Sequence, residues 1–328
     1  MTIREIAHLA GVSPATVSRV FSHHPGIGEE VRKHVLEVAR KHHYSPRMGG
    51  KRRNVVIITP YQSEFPAQSC VDMLLMALMR TLPPRGFRLE ILPLNNLERL
   101  DSIQFCAAAA IGVEPDDLAD WSERFAVPLV IVDRQIEHPR PNVFTVRSDE
   151  SGGMRLALEH LKERGCRKVG CLIHGDPGSG NADLRAAAIR HELVRLELPS
   201  DDRLVLFTGP GPEKYVELIG KLLKLGCDAL FCPGGTGGIV AVYALSLFDR
   251  KIPDDVSVIA SEQTFFSQFA VPPQTTITQD YPAVAAAVGD LIEAWLDHRR
   301  PVSPPPLPYI LVKRESVAGQ IENHLRKG

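Results

Sequence analysis

Residues 2–21, TIREIAHLAGVSPATVSRVF, constrain the chain more than any other stretch, because they dictate two short helices and the tight turn between them. Ile3, Ile6, Ala7 and Ala10 recur at helical spacing, so a first helix with one apolar face runs up to Gly11. Glycine there permits the positive φ that ends it. Ser13 suits an N-cap and Pro14 suits the first helical position, where a missing N–H costs nothing. A second helix therefore starts within three residues of the first, which is the helix-turn-helix pattern. In that second helix Val17, Val20 and Phe21 share one side and turn inward, leaving Ala15, Thr16, Ser18 and Arg19 outward. Small residues let a backbone approach a DNA major groove while one long arginine reaches a base edge. The hydroxyls of Thr16 and Ser18 suit phosphate oxygens. A third helix, Glu29 to about His42, carries Val31, Val35, Val38, Ala39 and His42 on one face and closes a three-helix head.

Charge supports this reading. The 38 Lys+Arg and 39 Asp+Glu nearly cancel overall, but residues 1–53 hold ten basic against four acidic side chains, net +6, leaving 28 against 35 in the rest. Such asymmetry predicts a basic head that meets a polyanion and an acidic body that does not. No run of eighteen apolar residues occurs, and MTIREIAHLAG carries charges where a signal peptide has its apolar stretch. The expectation is a cytoplasmic protein with no membrane partner. The six cysteines form no C-x-x-C pair and sit in apolar patterns, which predicts buried free thiols, no metal and no cofactor. No Ser/His/Asp arrangement, paired carboxylates or metal-ligand spacing is recognisable, so an enzyme is not expected.

AGVSPATVSRVF closely resembles the N-terminal signature of the LacI/GalR family of bacterial transcription regulators, and EEVRKHVLEVARKHHYSP is similar to the helix and Tyr-x-Pro segment that follow it there. The resemblance implies that the helix Pro14–Phe21 reads operator DNA. By it, Pro14, Ala15 and Arg19 read bases, Thr16 and Ser18 touch phosphate, and Ser13 and Tyr44 belong to the same interface. Residues 1–46 are then the helix-turn-helix domain.

Residues 47–53 depart from the family pattern, a hinge helix whose leucine wedges into the minor groove. Here the chain reads Arg47-Met48-Gly49-Gly50-Lys51-Arg52-Arg53. The leucine is absent, and each glycine opposes a helix by about 1 kcal/mol relative to alanine. Two readings stay open. Met48 serves as an apolar wedge with Arg47, Lys51, Arg52 and Arg53 in a minor groove or on phosphates, or the segment is a basic tether that adds only non-specific affinity.

From Asn54 onward the sequence alternates candidate strands (55–59, 88–92, 108–113, 129–132, 168–173, 204–207, 229–232, 257–260) with helical patterns (near 69–82, 116–125, 151–164, 183–196, 213–225, 236–248, 282–298). Alternation of this kind predicts an α/β body of parallel sheets covered on both faces, with binding sites at the carboxyl ends of the strands. The motifs VPLVIVDR, VRSDESGGMRLALEHLKERGCRKVGCL, IPDDVSVIA, PPQTTITQD and LPYILVKRES follow the family's order. They imply the periplasmic-binding-protein type I body of two doubly wound parallel-sheet subdomains, about 54–147 plus 277–300 and about 148–276 plus 301–328, with an effector cleft between them.

The positions implied for an effector are Asp133 after the strand 129–132, Arg185 in NADLRAAAI, and Glu262 where an aspartate is usual. Tyr61 and Phe65, in the loop after the first strand, are candidates to stack on a ligand. The family's Asn-Asp pair is replaced by Gly234-Gly235, which removes two hydrogen-bonding side chains. A glycine-rich loop before a helix can instead offer backbone N–H groups to an anion. An effector that is a sugar, a sugar phosphate or an organic acid, or no effector at all, all remain open. The helix Cys70–Met79 is apolar around much of its circumference and by resemblance joins a homodimer, a tetramer being left open. The expected protein is a dimeric regulator, in first place a repressor, on a pseudo-palindromic double-stranded operator. The competing class, a solute-binding protein, has no use for a basic three-helix head.

Overall fold

The computed structural model describes residues 1–21, 26–42, 44, 53–61, 70–209, 211–212, 214–262 and 264–319. The head comprises α1 (Ile3–Leu9), α2 (Pro14–Phe21) and α3 (Glu29–Lys41). After it come β1 (Asn54–Thr59), α4 (Cys70–Thr81), β2 (Arg88–Pro93), β3 (Ala107–Ile111), α5 (Trp121–Arg124), β4 (Leu129–Val132) and β5 (Val143–Val146). Next are α6 (Glu150–Glu163), β6 (Val169–Ile173), α7 (Ala182–Arg195), β7 (Val205–Phe207), α8 (Tyr215–Lys224) and β8 (Ala229–Cys232). The last elements among the described residues are α9 (Gly237–Leu247), β9 (Ser257–Ser261), α10 (Thr264–Phe269), β10 (Thr275–Gln279), α11 (Tyr281–Leu296) and β11 (Tyr309–Val312). Two compact units result: Met1–Ala67, Val71–Arg147 and Tyr281–Pro306 form unit 1, and Gln68–Cys70, Ser148–Asp280 and Leu307–Gly328 form unit 2.

Local chemistry sets the head. A reciprocal capping box opens α1, in which the Thr2 hydroxyl accepts from the Glu5 amide and the Glu5 carboxylate accepts from the Thr2 amide. Gly11, at φ +65°, reverses the chain after it. Ile6, Val17, Val20, Phe21, Val35, Leu36 and Ala39 fill the core between the three helices. Leu36 takes the place expected of Val31, which is exposed: at about 100° per residue, positions 35, 36 and 39 share one face of α3 and position 31 lies beyond its edge.

In unit 1 the described strands run in the order β2-β1-β3-β4-β5, all parallel. The expected helix over 116–125 is instead a 3-10 turn at Pro115–Leu118 followed by the single turn α5. Packing outweighs periodicity there: Trp121 is buried among Phe105 and Phe125, and its indole N–H donates to the Val127 carbonyl at 3.0 Å.

In unit 2 the order is β11-β10-β9-β8-β6-β7, parallel except that β11 runs antiparallel to β10. Alternate residues serve opposite faces. Cys171, Ile173, Ala229 and Phe231 pack on α6 and α7, while Leu172, Leu230, Cys232 and Ala260 pack on α8 and α9. Because β10 pairs with β9, the return to unit 1 comes at Tyr281 and not near 277. The following extended stretch stays with unit 1, where the Thr145 amide donates to the Ser303 hydroxyl, so the last boundary falls at Leu307 and not at 301. Of the cysteines, Cys106, Cys166, Cys171, Cys227 and Cys232 are buried and Cys70 is exposed, against the expectation for that residue. Burial pushes the thiols of Cys106 and Cys232 up to about 12, which leaves them inert.

Candidate nucleic-acid interface and ligand edge

The second helix of the head presents one polar face. Ser13 caps α2 by accepting from the Thr16 amide at 3.0 Å, and its hydroxyl also shares a hydrogen bond of 2.9 Å with the Thr16 hydroxyl. Val17, Val20 and Phe21 are buried, whereas Pro14, Ala15, Ser18 and Arg19 are exposed and Thr16 is half-buried. The surface thus consists of an open helix N-terminus, small side chains and one guanidinium. That combination can enter a major groove, set amide and hydroxyl groups on phosphate and extend Arg19 to a base edge.

Other candidates fall differently. The Tyr44 ring stands edge-on to Phe21, centroids 5.7 Å apart, and packs on the head's apolar core, while burial raises its phenol. Arg53 donates to the Arg85 carbonyl at 2.9 Å and lies over the Phe87 ring, so it is anchored to unit 1 and not offered to DNA. Arg47, Met48, Lys51, Arg52 and Phe65 lie outside the described residues.

At the carboxyl edge of the unit 1 sheet, Tyr61 follows β1 and is exposed, and Asp133 follows β4 with φ +56°. Aspartate tolerates that left-handed conformation better than most residues. Its amide donates to the Val146 carbonyl, which fixes the turn.

The carboxyl edge of the unit 2 sheet holds Arg185, Gly234, Gly235 and Glu262. Arg185, on α7, forms a two-pronged pair with Glu150 through Nε at 2.7 Å and Nη2 at 3.0 Å. The Tyr309 hydroxyl and Asn181 amide also donate to Glu150 Oε1. Burial alone would raise the Glu150 carboxyl, but the Arg185 charge and these hydrogen bonds hold it below its ordinary value. For Arg185 burial works against the charge and Glu150 outweighs it, so the guanidinium stays protonated. Sequence reasoning missed Glu150; the only signal was an acidic residue at the start of a helical pattern. Glu262 follows β9, and its Oε2 accepts from Arg314 Nη1 at 2.8 Å and from the Thr276 hydroxyl, while its Oε1 is buried with no hydrogen-bond partner.

Gly234 and Gly235 follow β8 with φ +85° and +53°. A β-carbon at Gly234 would lie 2.5 Å from Arg185 Nη1, and one at Gly235 would lie 2.3 Å from His174 Nδ1. His174, just past β6, was not anticipated. Its ring is half-buried, its Nδ1 is buried without a hydrogen-bond partner, and burial followed by the Arg185 charge lowers its pKa, keeping the imidazole neutral.

Comparison with known proteins bears on both regions. The pattern for bacterial regulatory proteins of the lacI family matches residues 2–47, and that for a periplasmic binding protein-like domain matches residues 158–317. Residues 2–47 thus carry the pattern of the lacI family of bacterial regulatory proteins. The chain is a DNA-binding transcriptional regulator and not an enzyme. Among curated relatives, the HTH-type transcriptional regulator DegA of Bacillus subtilis is 27% identical over 305 residues, covering 87% of this chain and 88% of DegA. The HTH-type transcriptional repressor PurR of Haemophilus influenzae is 26% identical over 302 residues, covering 85% and 86%. A crystal structure of the lac repressor dimer bound to operator and an anti-inducer matches with a TM-score of 0.68 and 20% identity, over 97% of this chain and 99% of that one. Among the described residues no group of His, Cys, Asp and Glu side chains could hold a metal ion, and no helix is long and apolar enough to cross a membrane.

Proposed function

We propose that this protein is a cytoplasmic repressor of the lacI family that binds a pseudo-palindromic operator as a homodimer, reads base edges with Arg19, Ala15 and Pro14, and sets Ser13, Thr16 and Ser18 on phosphate. The observation that carries this reading is the split of α2 into a buried face of Val17, Val20 and Phe21 and an exposed face of small residues with one arginine. Residues 1–46 act as the reading domain, 47–53 as a basic connection, and the remainder as the effector-binding and dimerising body. Apolar residues left exposed in the body support self-association: Met76 and Met79 on α4, Tyr243 and Leu247 on α9, and Phe265 and Phe269 on α10. Two copies related by a two-fold axis would present two α2 helices to symmetric half-sites. Arg185, Glu262 and their neighbours serve as the ligand edge, with Asp133 and Tyr61 the corresponding candidates of unit 1. A bound effector would shift the population of body conformations and so the operator affinity.

The test is binding to genomic DNA fragments as a function of salt. Sequence preference with a steep negative log–log slope is expected. Indifference to sequence at every salt concentration overturns the reading.

A further inference from the structure

We infer that His174 is a specificity-determining residue of the unit 2 ligand edge, its imidazole occupying the space that side chains at 234 and 235 would fill, and that this edge takes an uncharged hydrogen-bond-donating ligand in preference to an anion. The inference rests on the proposal above that this edge binds a small molecule.

Space comes first. A β-carbon on Gly235 would meet three atoms of the His174 ring at 2.3, 2.4 and 2.7 Å, and one on Gly234 would meet Arg185 Nη1 at 2.5 Å and His174 Cβ at 3.2 Å. Side chains at 234 and 235 cannot coexist with this imidazole and this guanidinium in their places. The glycine pair and the histidine therefore form one device: the absence of side chains at 234 and 235 leaves the space that one polar ring fills.

Hydrogen-bond accounting comes second. Glu262 has a side chain only 8% exposed, yet its Oε1 has no partner, and His174 Nδ1 is buried without one as well. Buried polar atoms left unpaired are costly and are normally satisfied by protein, water or ligand. A carboxylate oxygen only accepts, so the partner of Glu262 Oε1 must bring a donor such as a hydroxyl. His174, Gly234 and Glu262 stand at the ends of β6, β8 and β9, which are successive neighbours in the sheet. Neighbouring strands lie about 4.8 Å apart, so one small molecule of sugar size spans this row.

Charge decides the class. Arg185 is neutralised by Glu150, and Arg314 by Glu262. The Gly234 amide, which an anion would need, already donates to the Ser261 hydroxyl at 2.7 Å. Among the described residues of this edge, an anion would thus find two carboxylates beside it with each arginine already matched, and burial keeps His174 neutral.

Calorimetry on the full-length protein with matched pairs tests this: glucose and glucose 6-phosphate, myo-inositol and its monophosphate, adenosine and AMP, with cellobiose and inorganic phosphate alongside. The expected result is binding confined to uncharged members, a Kd raised about tenfold by His174→Ala, the loss of about one hydrogen bond, and substantial rescue by His174→Gln. His174→Asn replaces the alanine variant if that one fails to fold. Preference for the phosphorylated members, or an uncharged ligand bound equally by wild type and His174→Ala, overturns the inference. If such a ligand is lost on Glu262→Ala but not on His174→Ala, the ligand edge stands and the role of His174 falls. If none of these compounds binds, both fall.

Discussion

In the head, each position that can meet DNA is fixed by residues three or four away in sequence: Ser13 caps Thr16, and Val17, Val20 and Phe21 seat the helix that carries Ala15, Ser18 and Arg19. At the proposed ligand edge of unit 2 the same task is shared by residues drawn from far apart, with Glu150, Asn181, Arg185 and Tyr309 in one network and Thr276, Glu262 and Arg314 in another. The first arrangement is modular, so its surface side chains other than the Ser13 cap can change with little cost to folding. The second would couple any ligand binding to stability, because its charges are buried and depend on one another.

The sharpest way to break this contrast is to remove one charge from the unit 2 edge. Glu150→Ala leaves Arg185 buried without its counter-ion and is expected to destabilise by about 3–5 kcal/mol, the cost typical of splitting a buried pair. Urea unfolding checks it; a loss below about 1 kcal/mol would place the edge in the same modular class as the head. Acid sharpens the point. The folded Glu150 carboxyl is held below its ordinary value, so its contribution is complete above an unfolded pKa of about 4.3 and is lost as pH falls through the folded value. Glu150→Gln is expected to remove that part of the acid sensitivity of the urea midpoint.

A second test probes coupling directly. Gly235→Asp drives a side chain into the His174 ring at a residue with φ +53° and is expected to cost about 1–3 kcal/mol. In a His174→Ala background the part of that cost due to the clash disappears, while the part due to the backbone conformation stays. Additive effects in the double mutant would mean that the glycine and the histidine do not share space.

These differences also explain what could be read from the sequence. The first two helices of the head were legible because capping, helix periodicity and a glycine turn all act locally, whereas in α3 the inward face was misplaced at Val31 and Leu36. The parallel body was legible as alternation, but β5, β10 and β11 were not on the list of candidate strands. Thr275 and Thr276 look polar in sequence, yet both are fully buried in β10, where the Thr275 hydroxyl accepts from the Arg314 amide and the Thr275 amide donates to Ser316. Arg185 and Glu262 were found through resemblance to the family. Their partners Glu150 and Arg314, and the ring of His174 beside the glycines, are tertiary facts that no local pattern carries.

The head offers the converse test, a functional change without a folding cost. Arg19→Ala is expected to relax base preference at one operator position by about 1–3 kcal/mol while leaving the unfolding midpoint in place. Competition between variant operators measures the first and thermal unfolding the second. Unchanged ratios across variant operators would remove Arg19 from the reading role, and a large fall in the midpoint would show that the head is not modular.

Ser13→Ala has the smallest expected effect and separates two roles of one side chain. Its hydroxyl accepts from the Thr16 amide and is shared with the Thr16 hydroxyl, so it is engaged in capping before any phosphate arrives. Loss of an N-cap costs about 1 kcal/mol, and glycine at that position recovers most of it. If capping is its main work, operator affinity in Ser13→Ala and Ser13→Gly will follow head stability, with the glycine variant near wild type. If Ser13 also binds phosphate, the glycine variant loses affinity as well although its cap is restored, and the alanine variant loses more because it forfeits both contributions. The glycine variant decides, because it restores the cap and cannot restore the hydroxyl.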